Sequence, residues 1–157
     1  MPERVHAMTT IEASAEEVFA VLADPTRHRA IDGTGWVQDA EDVQPLSRVG
    51  QIFRMGMFHA DHPDGHYEIC NEVTAFDPPT AVAWKPGYIA ADGELTFGGW
   101  IWRYDVTECT AGVDVRLTYD WSEAGPEARA VFDFPPLPPD HLSNSLAHLV
   151  ELVRDCR

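Results

Sequence analysis

The sequence predicts an α+β fold in which a curved antiparallel sheet wraps around one long C-terminal helix. Strand-like runs, about six or seven in number, alternate between apolar and polar residues and are separated by turns. Such hairpins bury only one face of a sheet, and the last helix is the one segment long and apolar enough to cover it. Two short helices directly after the first strand complete the pattern.

The predicted C-terminal helix runs from about Pro139 to Cys156. A proline suits the first turn, where a missing N–H costs nothing, and Asp140 complements the helix dipole there. We expect the apolar stripe of this helix to pack against the sheet and to form the floor of a cavity between them. The stripe consists of residues spaced by four, three and four positions: Leu142, Leu146, Leu149 and Val153.

A strand and two short helices are predicted at the start of the chain. Val5–Glu12 alternates between the two faces of a strand. Ser14 and Glu17 have the spacing of a capping box and begin a helix, which Asp24–Pro25 ends. Thr26–Ile31 is typical of a second short helix.

The middle of the chain has the pattern of strands joined by turns. Turn-forming residues separate the strands at Asp61–Gly65 and Asp77–Pro79. Residues 87–93 are predicted to be a loop, and the proline-rich segment Glu123–Pro139 to be a stiff lead-in that shortens the last helix or lids the cavity. The predicted strands are Trp36–Val43, Gln51–His59, His66–Phe76, Ala81–Pro86, Phe97–Glu108 and Val113–Trp121.

Length and composition indicate one domain over residues 1–157, with a hydrophobic content of 45%. A formal net charge of −15 disfavours binding to nucleic acid or to an anionic membrane. The chain has no signal-like opening and no apolar run of membrane-spanning length, so we expect no stable membrane insertion. Its three cysteines lack metal-type spacing and indicate reduced thiols in the cytoplasm. An exposed edge strand is compatible with a monomer or a homodimer.

Motifs stand at five places along nearly the whole chain: Ile11–Phe19 with Leu22–Pro25, Val49–Gly50, Val73–Pro79, Val82–Trp84 and Asn144–Leu146. Together they resemble the START-like superfamily, also called SRPBCC or the polyketide cyclase/dehydrase family. The first is similar to that family's entry into its first helix, and the others to its third strand, its Pro-Pro turn, the aromatic strand that follows and the last helix. Each motif is typical of the fold rather than of a reaction.

The resemblance implies the helix-grip fold, with a cavity between the curved sheet and the C-terminal helix. Members of the family bind lipids, polyketides or other apolar and aromatic metabolites, and a minority are enzymes. The main hypothesis is therefore a protein that binds a small hydrophobic molecule. The alternatives are a polyketide cyclase or dehydratase that uses a cavity histidine or tyrosine, and a protein-binding module of the chaperone-activator type.

Inward-facing aromatic side chains on the strands are the expected wall of the cavity, because such rings with a few polar tips are typical of small-molecule sites. The same rings would also be explained if they filled the core completely. Tyr104 and His148 would orient polar substituents of the ligand, and Ser145 beside His148 on the flank of the helix could add polarity. The predicted ligand-binding residues are Trp84, Trp100, Trp102, Tyr104, Tyr119, Trp121, Met55, Met57, Leu142, Ser145, Leu146 and Leu149.

His148 and Tyr119 are the candidate catalytic residues, because a histidine titrates near neutral pH and His148 lies at the edge of the apolar stripe. His141 falls in the first turn of the helix, where a positive charge is unfavourable, and is predicted to be solvated. Asp32 and Arg54 are candidates for a polar anchor at the cavity mouth. Strand alternation favours a surface position for Arg54.

One group of residues has the side chains of a zinc site, but it straddles a predicted hairpin tip. Aspartate, proline and glycine are expected in such a turn for conformational reasons alone, and a zinc site needs three or four converging ligands. We therefore predict a solvated turn, no metal and no cofactor. The residues concerned are His59, His62 and His66 with Asp61 and Asp64.

Overall fold

A computed structural model describes residues 3–60 and 65–155 of the chain. Within these residues eight strands form one antiparallel sheet, with four α-helices and a single 3₁₀ turn at Pro25–Arg27. The helices are α1 Ala15–Leu22, α2 His28–Asp32, α3 Pro126–Val131 and α4 His141–Asp155. The strands are β1 Arg4–Ile11, β2 Val37–Ala40, β3 Ile52–Phe58, β4 His66–Asp77, β5 Ala81–Ile89, β6 Leu95–Phe97, β7 Ile101–Cys109 and β8 Gly112–Asp120.

The strands are ordered β1-β8-β7-β5-β4-β3-β2 across the sheet, and the short β6 pairs with β5. Every described pairing is antiparallel. The sheet curls into a half-barrel whose concave face packs against α4 and the short helices. The predicted α+β helix-grip architecture is confirmed, with eight strands where about six or seven were expected.

The first two helices follow the predicted signals. The Ser14 Oγ accepts a hydrogen bond of 3.1 Å from the Glu17 N–H, and the Glu17 carboxylate accepts one of 3.2 Å from the Ser14 N–H. This capping box satisfies two N–H groups that a helix start otherwise leaves unpaired. Helix α2 ends at Gly33, whose φ of +68° lies in the left-handed region that favours glycine.

Helix α4 begins two residues later than predicted, at His141. Pro138 and Pro139 therefore precede the helix, and the Pro138 carbonyl accepts a hydrogen bond from the His141 N–H. The predicted apolar stripe is buried against the sheet, as expected, with exposed fractions of 6%, 1%, 0% and 1% for Leu142, Leu146, Leu149 and Val153.

The structure differs from the predicted strands around Gly98 and Gly99. A Cβ at Gly98 would lie 2.0 Å from the Trp100 ring, and one at Gly99 would lie 2.1 Å from the Glu123 carbonyl oxygen. The chain bends at this close approach, so the predicted strand from Phe97 splits into β6 and β7. Strand β5 extends to Ile89, through residues that were predicted to be a loop.

Helix α3 was not predicted at all. It begins at Pro126, lies within the proline-rich segment and contains no buried residue. A helix that buries no stripe has no apolar periodicity to reveal it.

The predicted zinc-like group falls partly on residues that the structure does not describe. Asp61, His62 and Asp64 of the zinc-like group lie outside the described residues. Among residues 3–60 and 65–155, no group of three or more histidine, cysteine, aspartate or glutamate side chains is placed to hold a metal ion. In the same part of the chain no helix has the length and apolar character needed to cross a membrane.

Candidate ligand-binding site

The concave face of the sheet has one fully buried part and one partly exposed part. Cross-strand register places Val82, Tyr104 and Leu117 in one row, and their side chains are 0%, 5% and 1% exposed. In the next row Trp84 and Trp102 lie side by side and are only half-buried. The tryptophan row therefore exposes more side-chain surface than the row of Val82, Tyr104 and Leu117.

Trp84 is held by aromatic neighbours on its inner side. Its ring stacks on His28 at a centroid distance of 4.8 Å and meets Phe53 edge-on at 5.7 Å. The His28 Nε2 donates a hydrogen bond of 2.9 Å to the Leu22 carbonyl oxygen, which fixes the ring. Burial lowers the pKa of His28, so this ring is neutral near pH 7.

His141 lies between two tryptophans, and the prediction that it is solvated is wrong. Its ring stacks on Trp36 at a centroid distance of 5.5 Å and contacts Trp102 at 5.9 Å, which leaves His141 5% exposed. Burial lowers the pKa of His141, although Asp32 opposes the shift. The aromatic contacts explain the burial, and helix position alone could not reveal them.

Asp32 is buried beside His141, and its partners come from its own loop. The Asp32 Oδ2 accepts hydrogen bonds from the Thr34 N–H at 3.1 Å, the Thr34 hydroxyl at 2.5 Å and the Val37 N–H at 3.3 Å. The Asp32 Oδ1 lies 3.8 Å from the His141 Nε2. Burial, together with the Asp32 charge, raises the pKa of the neighbouring Tyr104. A carboxylate, an imidazole and a phenol therefore lie close together under the tryptophans.

Arg54 does not share this site. Its guanidinium is on the outer face and pairs with both oxygens of Asp42, each at 3.0 Å. The predicted surface position of Arg54 is thus confirmed. Of the two residues considered for a polar anchor, only Asp32 lies on the inner side.

The two predicted catalytic residues have separate partners. The His148 Nδ1 donates a hydrogen bond of 2.9 Å to the Ile31 carbonyl oxygen, and the half-buried ring packs on Gly33. Tyr119 is 2% exposed, and its ring contacts Trp102 at 4.7 Å and Trp121 at 5.8 Å. Burial raises the pKa of Tyr119 and keeps the phenol protonated. The structure groups His148 with α2 and Tyr119 with the tryptophan row.

The proline-rich segment lies against two other predicted ligand-binding residues. Phe134 stacks on Trp121 at 6.2 Å and contacts Trp100 at 6.0 Å, and Phe132 meets Trp100 edge-on at 6.1 Å. Trp121 is buried by these contacts, whereas Trp100 is half-buried. This segment therefore covers one end of the concave face.

The remaining predicted ligand-binding residues divide by exposure. Met57 is half-buried at the accessible end. The others belong to the packed core, with exposed fractions of 6% or less: Met55, Leu142, Ser145, Leu146 and Leu149.

Two depressions of the described surface lie outside the tryptophan row, and the second of them includes Met57. One of about 310 Å³ lies between α1, the turn after it and the end of α4, and includes Glu17, Arg27 and Val153. The other, of about 500 Å³, lies over β2, β3 and β4 near Asp39 and Glu68. Both include acidic side chains, and neither is lined by a tryptophan.

Asn71 is a polar residue of the concave face that the sequence interpretation missed. It pairs with Phe53 on β3 and Pro86 on β5, and it is 3% exposed. Its Oδ1 has no hydrogen-bond partner among the described residues. The signal was present in the sequence, because Asn71 interrupts the inward-facing apolar series of Ile69 and Val73.

Comparison with known proteins supports the fold and leaves the function open. No protein-family model matches the chain. Two uncharacterized Mycobacterium tuberculosis proteins, Rv0088 of strain H37Rv and MT0096 of strain CDC 1551, are each 32% identical over 124 residues, which is 79% of this chain. The chain spans about half the length of these curated relatives, since the match covers 50% of each.

Solved structures with the same fold cover almost the entire chain. Protein Ms6760 from Mycobacterium smegmatis has a TM-score of 0.67 at 19% identity, with 99% of this chain and 93% of that one covered. An AHSA1-like protein from Aeromonas hydrophila has a TM-score of 0.60 at 16% identity, with coverage of 98% and 93%. An AHSA1 protein from Silicibacter pomeroyi has a TM-score of 0.61 at 16% identity, with coverage of 98% and 99%. At 16% to 19% identity these likenesses show that the chain shares the fold of these proteins.

Proposed function

We propose that this protein binds a small hydrophobic molecule on the concave face of the sheet, beside the first turn of α4. The observation that carries the proposal is the half-buried tryptophan row of Trp84 and Trp102, which continues through His141 to Trp36. These flat rings offer apolar contact area at a low entropic cost. A lipid, a polyketide or another aromatic metabolite would suit such a surface.

The charges of the molecule favour an uncharged or weakly polar ligand. The inner rings of His28 and His141 have lowered pKa values, and the phenols of Tyr104 and Tyr119 have raised pKa values, so all four are neutral near pH 7. Asp32 is the acidic side chain placed beside them. With a net charge of −15 the protein as a whole repels anions.

The proposal is tested by titrating the protein with N-phenylnaphthylamine, an uncharged dye whose fluorescence rises in apolar surroundings. We expect saturable binding that Trp102→Ala weakens about tenfold, because a large aromatic contact is lost. The matched control is Arg103→Ala, next on the same strand, whose side chain pairs with Asp105 on the outer face. Equal loss in both variants, or no saturable binding by the wild type, would contradict the proposal.

A second candidate function is acid–base catalysis on a polyketide-like substrate, with His141 in place of the His148 that the sequence predicts. The observation in its favour is the Asp32–His141 pair. The Asp32 carboxylate, held by three donors, lies 3.8 Å from the neutral imidazole, and its charge favours the protonated form that a general base becomes. In that case His141→Gln would lower turnover far more than it weakens N-phenylnaphthylamine binding. Unchanged turnover in that variant would exclude the role.

The third alternative, a protein-binding module, has less support from the described residues. Ion pairs occupy the outer face, as in Arg54–Asp42 and Lys85–Glu72. Two of the structurally similar proteins are described as AHSA1 or AHSA1-like, but at 16% identity they share the fold alone.

We also place the protein in the cytoplasm, a proposal supported by the free thiols of Cys70 and Cys109.

A further inference from the structure

Asn71 gives the ligand site a chemical preference. Strand register puts its side chain on the same face as Phe53 and Pro86, the residues directly opposite on the neighbouring strands. That face is the concave one, because the Phe53 ring contacts both His28 and Trp84 there. The carboxamide therefore lies one row beyond Trp84, between the buried side chains of Phe53 and Pro86.

The neighbours of Asn71 leave its oxygen without a donor. The side chain of Phe53 and the ring of Pro86 cannot donate a hydrogen bond, and Pro86 also lacks a backbone N–H. Asn71 is 3% exposed, and its Oδ1 is unpaired within the described part of the chain. A buried acceptor without a partner keeps the cost of losing its bound water, which a hydrogen-bond donor would remove. Local costs of this kind occur mostly at functional sites.

We propose that Asn71 is the polar anchor of the ligand site, an inference that rests on the proposed function. The ligand then carries a hydroxyl or N–H group that donates a hydrogen bond to the Asn71 Oδ1. The apolar body of such a ligand lies against Trp84 and Trp102, and its donor group points between β3 and β5. The preferred class is thus a hydroxylated aromatic or hydroxylated aliphatic molecule. A purely hydrocarbon ligand would leave the cost of the unpaired oxygen in place.

The test compares two competitors that differ only in the donor group. β-Naphthol and its methyl ether have the same ring system, but the ether has no O–H. Each is titrated against the protein with bound N-phenylnaphthylamine, and displacement gives its affinity. We expect wild-type protein to prefer β-naphthol about tenfold, the effect of one net hydrogen bond to a buried acceptor.

Two variants remove the acceptor in different ways. Asn71→Leu keeps the branched shape of the side chain, and Asn71→Ala removes it without adding volume. Both are expected to bind the two competitors with equal affinity. Glu68→Gln, at an exposed position of the same strand, is the control and should keep the tenfold preference. If the leucine variant does not fold, the alanine variant decides the comparison.

The outcomes separate this inference from the proposed function. If wild-type protein binds β-naphthol and its ether equally well, the donor preference is wrong while the apolar site stands; a water molecule satisfying Asn71 would give that result. If neither compound displaces the dye, both the proposed site and the role of Asn71 as its anchor are wrong for aromatic ligands. If Asn71→Ala keeps the preference, another residue is the anchor.

Stability gives a readout that does not depend on the ligand. Because Asn71→Leu removes an unpaired buried acceptor, the melting temperature of the ligand-free variant should equal or exceed that of the wild type. The proposal is contradicted if the melting temperature of Asn71→Leu is clearly lower while that of Glu68→Gln is unchanged. Asn71 would then stabilise the ligand-free fold, and its oxygen would not be an unpaired acceptor for a ligand.

Discussion

Gly33 is the residue on which the position of His148 depends. Its φ of +68° is costly for other residues, and an added Cβ would lie 2.2 Å from the His148 ring. We expect Gly33→Ala to lower the free energy of unfolding by more than the roughly 1–2 kcal/mol that a left-handed backbone costs. Chemical denaturation measures the loss.

Gly35 is the matched control for that change. Its φ is +89°, but nothing lies within 4 Å of an added Cβ, so Gly35→Ala should cost only the backbone strain. Adding His148→Ala to Gly33→Ala should recover part of the loss, because the clash is removed. Equal costs at the two glycines would mean that the ring of His148 moves aside freely.

The polar residues of the site show where sequence interpretation is limited. Asp32 and His141 are separated by more than a hundred positions, and only the packing of α4 onto the loop after α2 brings them to 3.8 Å. Helical periodicity placed His148 correctly at the edge of the stripe, but it could not identify the carbonyl of Ile31 as its partner. Long-range pairings of this kind have no local signal.

At the scale of elements, α4 supplies the largest single surface that packs on the sheet. Leu149 is fully buried in that surface, whereas Leu152, three residues later, is half-buried. We expect Leu149→Ala to destabilise the protein by about 2–5 kcal/mol, through lost apolar contact and a residual cavity. Leu152→Ala should cost less. Thermal and denaturant unfolding would measure the loss of stability in both variants. A larger loss for Leu152→Ala would contradict the packing of the Leu149 face of α4 against the sheet.

Elements with strong local signals were predictable, and those shaped by tertiary contacts were not. The capping box of Ser14 and Glu17 is purely local, and so are the alternating strands β7 and β8. The division of β6 from β7 depends on the approach of Gly99 to the Glu123 backbone, which is distant in sequence. Helix α3 has no buried stripe, so its sequence has no apolar periodicity that would predict a helix.

At the scale of the whole molecule, buried neutral histidines make stability depend on pH. Burial lowers the pKa of His28 and of His141 below the ordinary value of 6.5. The unfolded chain therefore binds more protons than the folded one as the pH falls below that value, so the free energy of unfolding decreases. Above that pH the two neutral histidines make their full contribution to the free energy of unfolding.

The pH dependence is measured by denaturant unfolding between pH 7 and about pH 5, above the range in which carboxylates titrate. His28→Gln keeps a donor for the Leu22 carbonyl but cannot be protonated, so its stability should fall less steeply. A variant profile parallel to that of the wild type would mean that His28 does not contribute. Rising stability toward pH 5 would contradict the sign of the effect.

The fold as a whole was predictable because its pattern repeats along the chain, whereas the site was predictable only in part. Aromatic alternation indicated the row of Trp84 and Trp102. It did not show which rings the core would bury and which would stay accessible, because that depends on the curl of the sheet and the cover provided by Phe132 and Phe134. Asn71 was visible as a break in the apolar series, but its missing partner became evident only from the structure.

The central claim, that a hydrophobic ligand lies on the tryptophan row beside α4, is tested most directly by NMR of the five indole N–H groups. Single tryptophan-to-phenylalanine variants assign the signals, and β-naphthol is then added stepwise. We expect the signals of Trp36, Trp84 and Trp102 to shift together with one dissociation constant, and that of buried Trp121 to shift least. Unmoved signals for all three at saturating ligand, or shifts confined to Trp121, would contradict the account.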